Sequence, residues 1–367
     1  MKDSIAALIH QLQNKETILP QKKVAAGFDG FIDAIVRIIK TKDDAQQPSF
    51  FSSTGELGNY ITAKAGSSFG LELEPLQEKI GGNMPITAKA LYNVGVQVNC
   101  IGALGYPSIH PLFKELVDNC RCYSLAEPGT ATALEFDDGK IILSQMKQLN
   151  HLQWKAIKEI IGIETLISIY ETSDVYALLN WSELAAATGI WKGLLEDVLP
   201  HCTGEGKTAF FDLCDCSTRA DNDVYEMLSL LQQFSKYCNV VLSLNKNESR
   251  RIYEVLYHEP WNGYIEDIGT PIQAKLQITT LILHTAAFSI GYTTASAYKA
   301  TTFFIEQPAL LTGAGDNFNA GFMAATLYGL SLAECLVFAN ATASLYMQKG
   351  FSATLQEITA FLTDQIN

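Results

Sequence analysis

Short apolar runs bounded by turn-forming residues recur along the chain, at 23–28, 98–104, 175–179, 208–213, 239–244 and 279–284. Longer stretches between them carry apolar residues three and four positions apart, at 86–94, 182–199, 223–237 and 317–328. The short runs have the length and apolarity of strands buried on both faces, and the longer ones have the period of amphipathic helices. Their alternation predicts βαβ units and a mostly parallel sheet covered by helices, an α/β protein.

Two segments break the alternation. Residues 36–80 mix both charges with Phe50, Phe51 and a later strand pattern, FGLELEPLQEKI. Residues 122–146 read as a hairpin, with TATALEF and KIILSQ joined by the turn Asp137-Asp138-Gly139. Strands that leave an α/β core in this way predict a lid or small second sheet. The expected organisation is a core of residues 1–35, 81–121 and 147–367, with 36–80 and 122–146 as the lid.

Composition narrows the partners. The chain has 367 residues, 39 acidic against 26 basic, and a formal charge of −13. Phosphate backbones and anionic membrane surfaces need clustered Lys and Arg, so neither nucleic acid nor a membrane is an expected partner. Eight cysteines occur without any Cys-x-x-Cys spacing, which fits free thiols in a reducing, cytoplasmic setting better than a disulfide or zinc framework. Residues 1–16 read as an amphipathic helix without the apolar centre of a signal peptide. The uncharged stretches 276–298 and 317–333 are interrupted by His284, Ser, Thr, Gly and Asn, and are expected to be strand and helix inside the core.

The sharpest chemical signal is Leu311-Thr312-Gly313-Ala314-Gly315-Asp316-Asn317, at the junction of an extended run and a helix. Glycines there let backbone N–H groups converge at a helix N-terminus, a ready site for an anion such as a transferring phosphoryl group. Asp316 falls in the first turn. Spacing alone leaves two roles open for it, a helix cap or a general base beside the anion.

TGAGDNFNAGF resembles the second signature of the ribokinase-like, phosphofructokinase-B type carbohydrate kinases. Ile80-Gly81-Gly82-Asn83 and the helix that it opens resemble the first signature, and residues 98–105 the strand that follows it. Ala26-Gly27-Phe28-Asp29-Gly30-Phe31-Ile32-Asp33 is similar to the family's first strand, Asn245-Lys246-Asn247-Glu248 to its Asn-x-x-Glu motif, and residues 338–343 to the helix beside the adenine pocket. The resemblance covers residues 24 to 350 in family order.

It implies a Rossmann-like three-layer α/β/α core with a small β-sheet lid, and ATP-dependent phosphorylation of a hydroxyl on a sugar, or second a nucleoside. Asp316 would be the base, with Gly313, Ala314 and Gly315 as the anion hole. Asp33 would hold substrate hydroxyls, with Asp29 the competing candidate, and Gly81, Gly82 and Asn83 would approach the substrate. Thr312 and Asn340 would border the nucleotide, and Asn245 and Glu248 would order Mg2+, partly through water. A homodimer is compatible with this reading.

Departures from the pattern leave the substrate open: Ile86, Leu310, Tyr106 to Pro111, Asp212-Leu213-Cys214-Asp215-Cys216, and Ala286-Ala287. They also motivate a rival, a catalytically silent ligand-binding protein on the same fold. Gly204-Glu205-Gly206-Lys207-Thr208 imitates the end of a P-loop but leads into a strand, where its phosphates would find no helix N-terminus. His284 at a strand end is a nucleotide or substrate contact or, more commonly for such a residue, a satisfied core histidine. The four tryptophans are expected to be packing residues, with Trp181 alone near a substrate.

Overall fold

The computed structural model describes residues 2–14 and 17–366. The expected N-terminal helix is Lys2–Asn14; Met1, Lys15 and Glu16 of that expectation lie outside the described residues. Fourteen strands follow in chain order: β1 (Lys23–Phe28), β2 (Phe31–Lys42), β3 (Pro48–Phe50), β4 (Leu73–Gly81), β5 (Gln97–Gly102), β6 (Arg121–Ser124), β7 (Gly129–Phe136), β8 (Gly139–Gln145), β9 (Val175–Leu178), β10 (Thr208–Asp212), β11 (Asn239–Asn245), β12 (Thr280–His284), β13 (Phe288–Tyr292) and β14 (Ala297–Thr301).

Nine of them form one sheet in the order β14-β13-β12-β11-β10-β9-β1-β5-β6. It is parallel from β12 to β6, and the β12-β13-β14 meander is antiparallel. Every residue of β9 and β10 is buried, as expected of parallel strands covered on both faces. Alternate residues feed two cores. Ala25, Tyr176, Ala209 and Phe211 join one, and Val24, Ala26, Ala177 and Phe210 join the other, so the layers are helix, sheet, helix. Within the described residues no helix is long and apolar enough to cross a membrane.

The remaining five strands make a second sheet, β3-β2-β7-β8 with β4 beside β2. Its small core of Val36, Ile38, Phe51, Leu57, Leu134 and Phe136 packs under the helix Thr54–Ala63. The hairpin turns where the sequence predicts, with Phe136 opposite Gly139. The boundaries differ from those expected. The second sheet begins at Phe31, because β2 pairs with β4 from its first residue. Residues 121–124 instead extend the large sheet, pairing with Asn99 to Gly102.

Two long helices, Ala314–Leu327 and Leu332–Lys349, lie against each other beneath the large sheet's C-terminal edge, and Gly321 sets their approach. A Cβ there would lie 2.7 Å from Thr342 Oγ1 and 3.0 Å from Ala339 Cα. Gly321→Val should therefore force the helices apart and destabilise the protein by about 1–3 kcal/mol, the usual cost of overpacking. Urea unfolding measures this, and an unchanged midpoint would contradict the close contact.

Candidate active site

Strand order reverses at β1, which continues to β5 on one side and lies beside β9 on the other. Crevices outside the carboxyl ends of strands at such a point are where open α/β sheets bind ligands. Asp29 sits there, between β1 and β2, wholly buried. Its carboxylate accepts from the N–H groups of Asn83 at 2.7 Å and Met84 at 2.8 Å, and from Asn180 Nδ2 at 2.8 Å. Asp29 thus caps the helix Asn83–Asn93, whose own N-cap, Gly82, has no side chain to do so. Gly82 has φ +89°, and a Cβ on it would lie 2.7 Å from Asp29 Oδ2, so the cap requires glycine on both counts. Burial pushes the Asp29 carboxyl up to about 6, even against these hydrogen bonds.

Asp33 differs in kind. It lies on β2 opposite Lys79 of β4, and its carboxylate occupies the space that a Cβ on Gly81 would need. Burial raises its pKa, with Lys79 opposing. Asp29 is committed to a helix, whereas among the described residues no hydrogen bond to a protein group occupies the Asp33 side chain.

Behind these residues runs a buried polar chain. Ser243 donates to Asn319 Oδ1 at 2.7 Å, and Asn319 Nδ2 donates to Asp212 Oδ2 at 2.5 Å. Asp212 Oδ1 accepts from the Cys214 N–H at 2.9 Å and from Asn83 Nδ2 at 3.4 Å. The Asn83 amide also lies close enough to Asp316 to favour its charged form. It therefore links the strand-end acid to the acid in the first turn of Ala314–Leu327. Burial raises the Asp212 carboxyl as well.

Gly313 begins that helix at φ +93°, where a Cβ would lie 2.6 Å from the Tyr346 hydroxyl. Tyr346 in turn donates to the Thr312 carbonyl at 2.7 Å and fixes the turn. No side chain caps this helix. Of the three expected anion-hole residues, Ala314 spends its N–H on the Leu311 carbonyl at 3.2 Å. Asp316 Oδ1 is shielded from solvent and has no hydrogen-bond partner among the described residues. Burial first, then repulsion from Asp212 and Asp29, holds its carboxyl well above the usual range.

A cleft of about 220 Å³ opens beside this turn, lined by His284, Thr285, Gly315, Asn340 and Met347 among others. His284 stacks on Phe318, centroids 4.9 Å apart. Burial lowers its pKa to about 4, so the ring is neutral. Asn340 lines the cleft but gives its amide to the carbonyls of Ala300 and Thr301 at 3.4 and 3.2 Å, and Thr312 is exposed.

Asn245 and Glu248 cap the helix Lys246–Tyr257 reciprocally. Asn245 Oδ1 accepts from the N–H groups of Asn247 and Glu248, and Glu248 accepts from the Asn245 N–H at 2.9 Å. Burial and the neighbouring Asp212 and Asp215 hold Glu248 well above the usual carboxylate range. Among the described residues no three acidic, histidine or cysteine side chains converge into a metal cage. Asp212, Asn245 and Glu248 are nonetheless all hard oxygen donors in a region of surplus negative charge. That set suits Mg2+, which keeps water and substrate phosphates in its shell and needs few protein ligands.

Asp212, Asn180 and Asn319 join the cluster without having been singled out as site residues by the sequence. Their signal is position, at or just after strand ends or one turn into a helix. Trp181 is fully buried, with its Nε1 on Thr188 and Arg219 over its ring; it is Asn180, its neighbour, that reaches Asp29. Lys207 of the P-loop imitation is buried and donates to main-chain carbonyls of Tyr170, Glu171 and Ser173.

The profile of the prokaryotic ketohexokinase family (Khk) matches residues 3–365. Ketohexokinase of Haloferax volcanii is 25% identical over 352 residues, which are 94% of this chain and 92% of that protein. Arabidopsis thaliana ribokinase, solved with ribose and ATP, superposes with TM-score 0.65 at 20% identity, covering 93% of this chain and 98% of that one. An Escherichia coli structure described as ribokinase II, solved with ATP and Mg2+, gives TM-score 0.65 at 16% identity over 94% and 99%. The two structural likenesses carry the fold.

The Asp29 environment has a pH signature. Its carboxyl titrates at about 6 in the folded protein and near 4 in an unfolded chain. Between those values the native state holds the extra proton, so stability falls as pH rises through the window, by about 3 kcal/mol in all. Asp29→Asn abolishes this contribution. Melting temperatures of variant and wild type should converge or cross in the variant's favour between pH 4 and 6, then keep a constant difference above. A difference flat from pH 4 to 7 would show that Asp29 titrates normally.

Proposed function

Because the chain belongs to the prokaryotic ketohexokinase family, we propose that it transfers the γ-phosphoryl group of ATP to a hydroxyl of a ketohexose, with Asp316 as general base. At the coarser level it is an ATP-dependent sugar kinase with the ribokinase-like three-layer fold. The observation that carries the residue assignment is the unpartnered, buried Asp316 oxygen in the first turn of an uncapped helix. An unused acceptor in that position is costly unless a ligand donates to it.

In the mechanism Asp33 and the glycine backbone at 81–82 hold the sugar, and Asp316 Oδ1 accepts the proton of the attacking hydroxyl. The raised pKa of Asp316 makes it a stronger base once ionised. The N–H groups of Gly313, Gly315 and Asp316, with the positive end of the helix dipole, receive the transferring phosphoryl. Asp212, Asn245 and Glu248 would hold Mg2+, which neutralises phosphate charge when bound. Neutral His284 fits a nucleotide cleft, since it adds no charge to be desolvated there. The second sheet, carrying Asp33 over the cleft, would exclude water from the reaction. A silent binder would have no use for Asp316, Asn245 and Glu248 together.

Asp316→Asn keeps size and hydrogen-bonding capacity but cannot take the proton. It should fold, bind ATP and fructose, and lose turnover by at least roughly 10²–10⁴-fold. Melting curves with each ligand, paired with product formation, test this; a folded variant with near-normal turnover would sink the mechanism. Glu248→Gln preserves most of the capping box while removing the charge. Turnover should then require several-fold more magnesium with little change in sugar KM, and an unshifted magnesium titration would remove Glu248 from the metal site.

A further inference from the structure

A polar hollow lies at the opposite ends of the strands. It has a volume of about 570 Å³ and is walled by the first halves of β1, β5 and β6 on one side and the helix Ile163–Thr172 on the other. Strand β1 alone separates it from Asp29 by about 20 Å of chain, at roughly 3.3 Å per residue.

Its walls break the rule that covers the rest of the sheet. An interior parallel strand is normally apolar on both faces, yet β5, paired on both edges, puts Asn99 into the hollow beside Arg121 of β6. The facing helix lines it with Thr165, Ser168, Ile169 and Thr172. That is the three-and-four spacing which elsewhere carries apolar side chains onto the sheet. Two polar walls face each other where a hydrophobic contact would otherwise close the gap.

The charges point the same way. In a chain of net charge −13, neighbouring Lys22 is paired with Asp174. Lys23 Nζ and the Arg121 guanidinium instead have no ion pair among the described residues, and both line this hollow, where Glu164 is the only acid. Arg121 lies over the Tyr123 ring at 5.3 Å, and the Tyr123 hydroxyl is shielded from solvent without a hydrogen-bond partner among the described residues. A buried phenol left unpaired is a cost that a ligand oxygen would remove.

We propose that this hollow is a second binding site, for a phosphorylated polyol of hexose-phosphate size. Arg121 and Lys23 take the phosphate, as guanidinium and ammonium groups do, and Tyr123, Asn99, Thr165 and Ser168 take hydroxyls. Its volume is in the range of small-molecule sites and far exceeds a single phosphate ion. The proposal stands on the lining and does not require the kinase reading. If that reading holds, the product of the reaction belongs to the same ligand class, and the site gives it a place to act away from the reacting groups.

Calorimetric titration of the full chain with fructose 6-phosphate tests this, alongside inorganic phosphate and fructose. Binding of fructose 6-phosphate should weaken at least tenfold in Arg121→Ala and several-fold in Tyr123→Phe, with the turnover of ATP-dependent phosphorylation unchanged in both. Inorganic phosphate should bind at least tenfold more weakly, and fructose binding should not respond to either variant. Should Arg121→Ala lower the melting temperature, Ser168→Ala on the facing helix supplies the same comparison. Fructose 6-phosphate affinity indifferent to Arg121 and Ser168, no binding at millimolar concentration, or phosphate binding as tightly as the sugar phosphate would each overturn the proposal.

Discussion

Four carboxyl groups, those of Asp29, Asp212, Glu248 and Asp316, are gathered in one low-dielectric region, and burial pushes every one of them up. Like charges can be held there only if each finds its own donors. Helix N-termini supply donors to two of the four. Asp29 takes the first N–H groups of Asn83–Asn93, and Glu248 closes a box on Lys246–Tyr257. The third helix, Ala314–Leu327, has no side-chain cap. It is the end left unsatisfied by the protein, and Asp316 stands in it with an oxygen equally unsatisfied. The proposed chemistry rests on this omission.

That balance also explains which candidate site residues were legible in the sequence. Asp316, Gly313 and the Asn245/Glu248 pair belong to local motifs whose meaning lies within one turn of chain. Asp29 and Asp33 could be nominated but not told apart, since what separates them is long-range. Asp29 is committed to N–H groups more than fifty residues away, while the Asp33 carboxylate is kept open by a glycine on a neighbouring strand. Asp212 and Asn319 carry no local signature. They become a unit only when β10 ends beside the helix that follows Gly313.

The same division holds for the fold. Runs that are apolar on both faces announced the central strands, and three-and-four spacing announced the helices, because those patterns follow from burial of a regular element. The edges of the second sheet were less readable. Residues 31–35 look like a continuation of the first strand, and only pairing with β4 and β7 assigns them to the other sheet. Residues 121–124 are too few for periodicity, and it is pairing with β5 that fixes them.

The threading of the chain between the two sheets has a consequence for cleavage. The turn at 43–47 is exposed, the kind of loop tip where proteases cut first. A cut there separates β1 and β2 from every later strand, yet β1 lies between β9 and β5 inside the large sheet, and β2 is paired along both edges with strands beyond the cut. The fragments could part only by opening both sheets. A nicked molecule would run as two bands in denaturant while remaining, under native conditions, a single folded body with its pocket whole.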